Sequence, residues 1–314
     1  MNALFLAQAV VPLALILWMA LAPPRSTLGF CIQFAASAAC LWAAALLGIW
    51  LVPPWWAPWG FGAGLLAAAG LALRLRHPLA SSLPATLGAW AVAVVFMVLG
   101  VVSAYGVFIA WRSRDVPPAA VNLAFPLGPG RYLVVNGGSS SSTNAHLETL
   151  DASEPRFRDW HGQSYGVDLV QLDGLGLRAM GLQPANPRAY RIYGARVLAP
   201  CAGRVVLAGD GLPDMQVPEM DREHMAGNHV LLRCPQADVL IGHLSPGSVQ
   251  VRPGDAVATG VWLGAVGNSG NTSEPHLHVH AQRPGPASAP IGGDPLPILF
   301  DGRFPVRGDR IGVP

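Results

Sequence analysis

The first third of this chain has almost no charge with which to face water. Between Met1 and Trp111 the only charged side chains are Arg25, Arg74 and Arg76, and the first acidic residue is Asp115. The apolar runs Leu4 to Leu21, Gly29 to Val52 and Leu87 to Trp111 are each near the ~20 residues needed to cross a bilayer. A fourth run, Trp56 to Leu75, has Pro58 near its start and Arg74 at its end, where a guanidinium can snorkel. Residues 1–111 are therefore expected to form about four transmembrane helices. The first run lacks a basic flank and a small-residue cleavage site, which favours an anchor over a removed signal peptide. With four spans, Arg25, Arg74 and Arg76 share one side of the membrane, and Arg112 and Arg114 lie on the other. The positive-inside rule then places both termini outside the cytoplasm, with "PPWWAPW" (Pro53 to Trp59) at the outer interface. If the Trp56 run does not span, the N-terminus moves inside. His77, in "LRLRHP", belongs at the interface.

Past residues 112–119, read as a short linker, the texture changes. "RYLVV", "ARVLAPCAGRVVLAG", "NHVLLRC", "DVLIGHL", "SVQVRPGDAV" and "HLHVHA" read as strands at short spacing. "NGGSSSSTNAH" (Asn136 to His146) reads as a loop, and no long amphipathic helical pattern follows Trp111. Residues 120–314 are predicted to form one mostly-β, antiparallel-sheet domain. A net charge of +2, with no basic cluster interleaved with aromatics, argues against nucleic acid as a partner. Cys31 and Cys40 fall inside a predicted span. Cys201 and Cys234 fall in the β region, where an oxidising compartment permits a disulfide that sequence alone cannot pair.

The sharpest local signal is "SEPHLHVH", Ser273 to His280. Alternate positions of a strand share a face, so His276, His278 and His280 stand together opposite Leu277 and Val279. Imidazoles on a shared face suit zinc or another borderline metal. A histidine-rich polar face fits the same triplet.

Three further stretches sharpen the choice. "SYGVDL" carries Asp168, and "VLIGHLSPGSVQVRPGDAVATGVWLGAVGNSGNTSEPHLHVH" carries His243, a PGD turn, a Gly-rich turn and the triplet. Over roughly residues 120 to 285 this order resembles the lysostaphin-type (LytM-like) zinc metallopeptidases, which cut peptidoglycan cross-links. The resemblance implies a small antiparallel β-fold with a groove over zinc. It makes Asp168 and His278 two metal ligands. It makes His243 and His276 the paired non-ligand histidines that assist the attacking water and stabilise the oxyanion. One position departs from the family: Ser164 stands where its first histidine ligand is usual, four residues before the aspartate. The third ligand is then His146 in "TNAHL", His161 in "DWHGQSYGVDL", or missing. Members with an Asn-x-His stretch well before "QxYxxD" favour His146, since Asn144, His146, Gln163, Tyr165 and Asp168 fit that arrangement. His280, where an acidic residue is usual, is read as an exposed polar or supporting residue. His224 and His229 are read as loop and strand polar residues, and Asp255 as a turn residue.

The resemblance implies a membrane-anchored zinc endopeptidase with a peptidoglycan peptide substrate, integral to the bacterial cytoplasmic membrane and with its peptidase domain outside. The alternative is an inactive module of the same fold that binds or regulates other cell-wall hydrolases. A biotinyl or lipoyl carrier, suggested by "VRPGDAVATGVWLGAVG", is excluded because the chain has no lysine to modify. An ion or proton path through the spans is unsupported, because no span holds a charge near its middle.

Overall fold

The computed structural model describes residues 3–75, 79–151, 153–286 and 289–314. The chain divides into a helical unit, Met1–Trp111, and a β unit, Arg112–Pro314.

In the helical unit the apolar runs form α1 (Ala3–Leu21), α2 (Thr27–Leu47), α3 (Ala57–Leu75) and α4 (Leu87–Arg112). Ser26 caps α2, its Oγ accepting from Gly29 N at 3.2 Å. Small side chains let the helices approach: Ala68 and Ala69 of α3 pack with Met19 and Leu41, and Ala36 packs with Leu15 and Phe96. Val95, Val98, Val101 and Val102 of α4 stay exposed, as expected where the surrounding solvent is hydrocarbon. Among the described residues, three helices, α2, α3 and α4, are long and apolar enough to cross a membrane; the segment Ala7–Leu21 of α1 is shorter. This corrects the expectation of about four spans, and the doubtful run, α3, is among the three. The Trp-rich stretch is only partly a loop, because α3 already begins at Ala57. Arg76 and His77 lie outside the described residues.

The β unit contains β1 (Val121–Leu123), β2 (Gly130–Asn136), β3 (Val167–Leu172), β4 (Arg196–Leu198), β5 (Gly203–Gly209), β6 (Asn228–Arg233), β7 (Asp238–Leu244), β8 (Ala256–Val257), β9 (Trp262–Ala265), β10 (Leu277–Gln282), β11 (Pro295–Leu296), β12 (Ile298–Phe300) and β13 (Arg310–Val313). One sheet runs β13-β2-β3-β10-β7-β6-β5-β8, with β11 added to β10, and two two-stranded sheets, β1-β12 and β4-β9, flank it. Every pairing is antiparallel except β1 with β12. The fold is the expected one: apolar helices followed by an antiparallel β unit. Leu169, Val230, Leu232, Val239, Ile241, Leu277 and Val279 form its core, so β3, β6, β7 and β10 are central. Cys201 and Cys234 are joined in a disulfide across the start of β5 and the end of β6, with Cα atoms 5.9 Å apart. Ser248 to Asp255, part of a predicted strand, is a loop, and only Ala256–Val257 pairs.

Candidate metal centre

Sheet register assembles the site. In β10, His278 lies opposite Asp168 of β3 on one side and Gly242 of β7 on the other. Asp168 in turn lies opposite Asn136 of β2, next to an irregularity in that strand. One row across four strands therefore carries Asn136, Asp168, His278 and the residue preceding His243. His243 ends the row with φ of 61°. This left-handed conformation is uncommon for a side-chain-bearing residue and tends to occur where the surroundings enforce it.

A third histidine arrives from outside the sheet. Asn144 caps a short helical turn, Ala145–Leu150, by accepting from His146 N at 3.2 Å. Its amide donates to Gly138 O and Gly166 O, tying the turn to the start of β3. His146 Nε2 then lies 3.0 Å from Asp168 Oδ2, and His278 Nδ1 lies 2.9 Å from Asp168 Oδ1. His146, Asp168 and His278 each offer one ligand atom, all within 4.8 Å of one another. Two imidazoles and a carboxylate in a closed group, with room for one more partner, are a donor set suited to zinc. The three lie in a pocket of about 350 Å³ that is also lined by His243, His276, Trp160 and Met225.

Both remaining histidines have one nitrogen committed. His276 Nδ1 donates to Glu274 O at 2.9 Å, and His243 Nδ1 donates to Ser269 O at 2.9 Å. A carbonyl can only accept, so each ring carries its proton on Nδ1 and leaves Nε2 free. Their ring centroids are 4.8 Å apart. His276 Nε2 lies 3.5 Å from Asp168 Oδ1.

The electrostatics divide the cluster. Burial pushes the Asp168 carboxyl up, but His146, His276 and the hydrogen bonds from His146 and His278 outweigh it and hold the group well below the usual carboxylate range. Burial pulls His146 down, and Asp168 overcomes this and raises it. A divalent cation would compete for that same place, because metal binding requires a deprotonated imidazole nitrogen. Burial, with His276 and His278 nearby, keeps His243 well below its ordinary value. Burial also lowers His278.

Other residues hold this arrangement in place. Asn136 Nδ2 donates to Asp168 Oδ2 at 2.8 Å, while Asn136 Oδ1 accepts from Arg307 at 2.9 Å. Burial draws the Arg307 guanidinium down to about 10, which leaves it charged at neutral pH. On the other flank, Arg178 grips Glu274 with two bonds of 2.8 Å, fixing the residue whose carbonyl holds His276.

Of the residues singled out in the sequence, the structure brings together His146, Asp168, His243, His276 and His278. His161 stays outside this group, with Nδ1 3.3 Å from Thr149 O. Ser164 is fully buried and turned into the interior, donating to His161 O and bonding Thr149 Oγ1. His280 is buried behind His278 rather than exposed, which corrects the surface reading. His224 is an exposed loop residue bonded to Asp221, and His229 lies on β6 with Nδ1 bonded to Gly227 O. Asp255 closes a turn by accepting from Arg252 N. Asn136, Arg178, Glu274 and Arg307 carried no motif that marked them beforehand.

Residues 189–290 match the model of Peptidase family M23. The match includes His243, His276 and His278 and stops short of His146 and Asp168. No curated protein matches the chain. Among solved structures the chain is similar to lysostaphin from Staphylococcus simulans, at 18% identity over 54% of this chain and 45% of that one, with a TM-score of 0.27. It is similar to a zinc containing peptidase from Vibrio cholerae, at 18% identity over 37% and 46%, with a TM-score of 0.23. It is also similar to Csd3 from Helicobacter pylori, at 14% identity over 64% and 38%, with a TM-score of 0.30. The chain spans less than half the length of each of these three. Through residues 189–290, this chain carries a domain of Peptidase family M23.

Proposed function

We propose that the chain is a membrane-anchored zinc metalloendopeptidase that cleaves peptide cross-links of peptidoglycan outside the cytoplasm. The observation that carries this reading is the convergence of His146, Asp168 and His278 on one point. These three would hold the zinc. When bound, zinc acts as a Lewis acid and brings the pKa of a bound water to ~7.

The chain's own residues supply the proton transfers. His243 and His276 each keep Nε2 free beside the donor group. Burial holds His243 neutral, so it accepts a proton from the attacking water. His276, anchored through Nδ1 to Glu274 O, turns Nε2 toward the site, where its doubly protonated form would donate a proton to the developing oxyanion or the leaving amine. Asp168 stays ionised throughout, which keeps a fixed negative charge beside the donors.

The rival is a module of the same fold without activity, and one observation favours it. Ser164 replaces the usual first histidine ligand, and its hydroxyl bonds within the protein interior. His146 answers that loss by reaching Asp168 from a different segment. The test measures bound metal and turnover of a peptidoglycan cross-link peptide. His146→Ala, Asp168→Ala and His278→Ala are each expected to lose most of the metal and all hydrolysis. His243→Ala and His276→Ala are expected to keep metal while turnover falls by ~10²-fold or more. His161→Ala should change neither. Zinc lost from His161→Ala and kept by His146→Ala would reassign the third ligand. A wild-type protein that binds no divalent metal would leave the regulatory module.

A further inference from the structure

His280 and Gln282 extend the site along β10 behind His278. Both lie on β10 with His278, at alternate positions that share its face. They are only 2% and 0% exposed. His280 Nδ1 sits 2.9 Å from His278 Nε2, on the side of that ring remote from Asp168. Two buried atoms beyond it, His280 Nε2 and Gln282 Oε1, have no hydrogen-bond partner among the described residues. Buried polar atoms without partners are costly, so a pair of them on one strand face calls for a physical cause.

The amide of Gln282 can point only one way. Its Nε2 donates to Pro290 O at 2.6 Å, and a carbonyl cannot donate in return. Oε1 is therefore the remaining end, an acceptor aimed at the interior. Gly162 makes the space for it, because a Cβ there would collide with Oε1.

The tautomers then follow from proton bookkeeping. With no metal, His278 Nδ1–H donates to Asp168 and its Nε2 accepts from His280 Nδ1–H. His280 Nε2 is then a lone pair, and Gln282 Oε1 faces it without a donor. With Nδ1 of His278 given to a metal, the proton of that ring sits on Nε2 and donates to His280 Nδ1. His280 must then carry its own proton on Nε2, which Gln282 Oε1 can accept. Every buried polar atom from His278 to Pro290 is satisfied in this second state alone.

We propose that His280 and Gln282 form a positioning relay that holds His278 in the tautomer presenting Nδ1 to the metal. The relay rests on the metallopeptidase reading above and adds residues to it. Partners that orient a metal-bound histidine typically change metal affinity by ~10–100-fold when removed.

The experiment uses the purified full chain in detergent and titrates zinc against a competing chelator. His280→Leu keeps volume and removes the acceptor, and zinc affinity is expected to fall by ~10–100-fold. His280→Asn places Oδ1 near the lost Nδ1, and should recover most of that affinity. Gln282→Met removes the terminal acceptor alone and should weaken zinc by a smaller factor. A second measurement does not depend on any variant. Histidine 15N spectra of the zinc-loaded wild type should place the His280 proton on Nε2, and in the metal-free protein on Nδ1. Wild-type affinity in both His280→Leu and Gln282→Met, or a His280 proton on Nδ1 in the zinc form, overturns the relay and leaves the peptidase reading intact. If His280→Leu does not fold, Gln282→Met and the spectra decide. Failure of the wild type to bind zinc overturns both readings.

Discussion

Gly166 allows His146 and His278 to stand across from each other at Asp168. A Cβ on this residue would come within 2.8 Å of His278 Cε1, 2.9 Å of Gln163 O and 3.1 Å of His146 Cδ2. The two rings are only 4.7 Å apart between centroids, so a methyl group must push at least one of them away. Gly166→Ala is therefore expected to lower zinc affinity by ~10-fold or more, since a ligand out of position costs as much as a lost supporting bond. Chelator competition measures this, and an unchanged affinity would remove Gly166 from the argument. At this scale the sequence was informative only where residues sit close together. "PHLHVH" announced His276 and His278, because strand alternation fixes which way neighbouring side chains point, whereas Asp168 in "GVDL" was marked only by the family resemblance. Arg307 and Asn136 stand 171 positions apart and meet only through the sheet, so no local pattern could pair them. The choice between an exposed and a supporting role for His280 was open for the same reason. Its burial comes from Gln282, His278 and the packing around Gly162, none of which strand alternation reveals.

Among the elements, the central strands other than β3 were legible, and β3 and the marginal strands were not. β2, β5, β6, β7 and β10 have continuous β-branched or leucine-rich runs and supply the core. β11 and β8 have two residues each, and β1 and β12 three, too few to carry a period. The stretch before β8 was over-read because its amides bond to scattered partners, Gln250 N to Leu263 O and Gly254 N to Val205 O among them, without a continuous ladder. Asp210 accepts from Gly247 N and Val249 N, and Asp255 accepts from Arg252 N. Loop segments also hold β10 at its entry. Arg178 and Glu274 are 7% and 15% exposed at the side chain and bonded at two points, and Glu274 O fixes His276. Removing one partner of such a pair leaves a buried charge and costs ~3–5 kcal/mol. Arg178→Ala should show that loss in thermal unfolding, and turnover should fall while zinc stays bound, because His276 is freed and the ligands are not. Replacing both, as Arg178→Met with Glu274→Leu, should recover much of the stability. Equal stability in the single and double variants would show that the pair does not act as a unit.

At the scale of the whole molecule, the proposed function makes one requirement, that the β unit lie outside the cytoplasm. Within the helical unit, the segment after α1 and the segment after α3 are bonded to each other: Ala80 N donates to Arg25 O, Thr27 N to Ser81 O and Leu28 N to Ser82 O. Arg25 and Arg74 therefore belong to the same end of the helices, and α4 runs from that end to finish at Arg112. Counted over the sequence, Arg25, Arg74 and Arg76 outnumber Arg112 and Arg114, so the positive-inside rule leads us to propose that the Arg25 and Arg74 end is the cytoplasmic one. The C-terminal end of α4, with the β unit that follows, then falls on the opposite side. This conclusion does not depend on whether α1 crosses, because α4 alone sets it. The bond between Cys201 and Cys234 agrees, since disulfides persist in oxidising compartments and are rare in the cytosol. Two measurements check the assignment together. A reporter that is active only outside the cytoplasm, fused after Pro314, should be active, and a cytoplasm-only reporter at the same place should be silent. Thiol labelling of the denatured, unreduced chain should reach Cys31 and Cys40 and reach Cys201 and Cys234 only after reductant is added. Activity of the cytoplasmic reporter together with labelling of all four cysteines would put the β unit on the wrong side of the membrane for a cell-wall substrate, and the proposed function would fail with it.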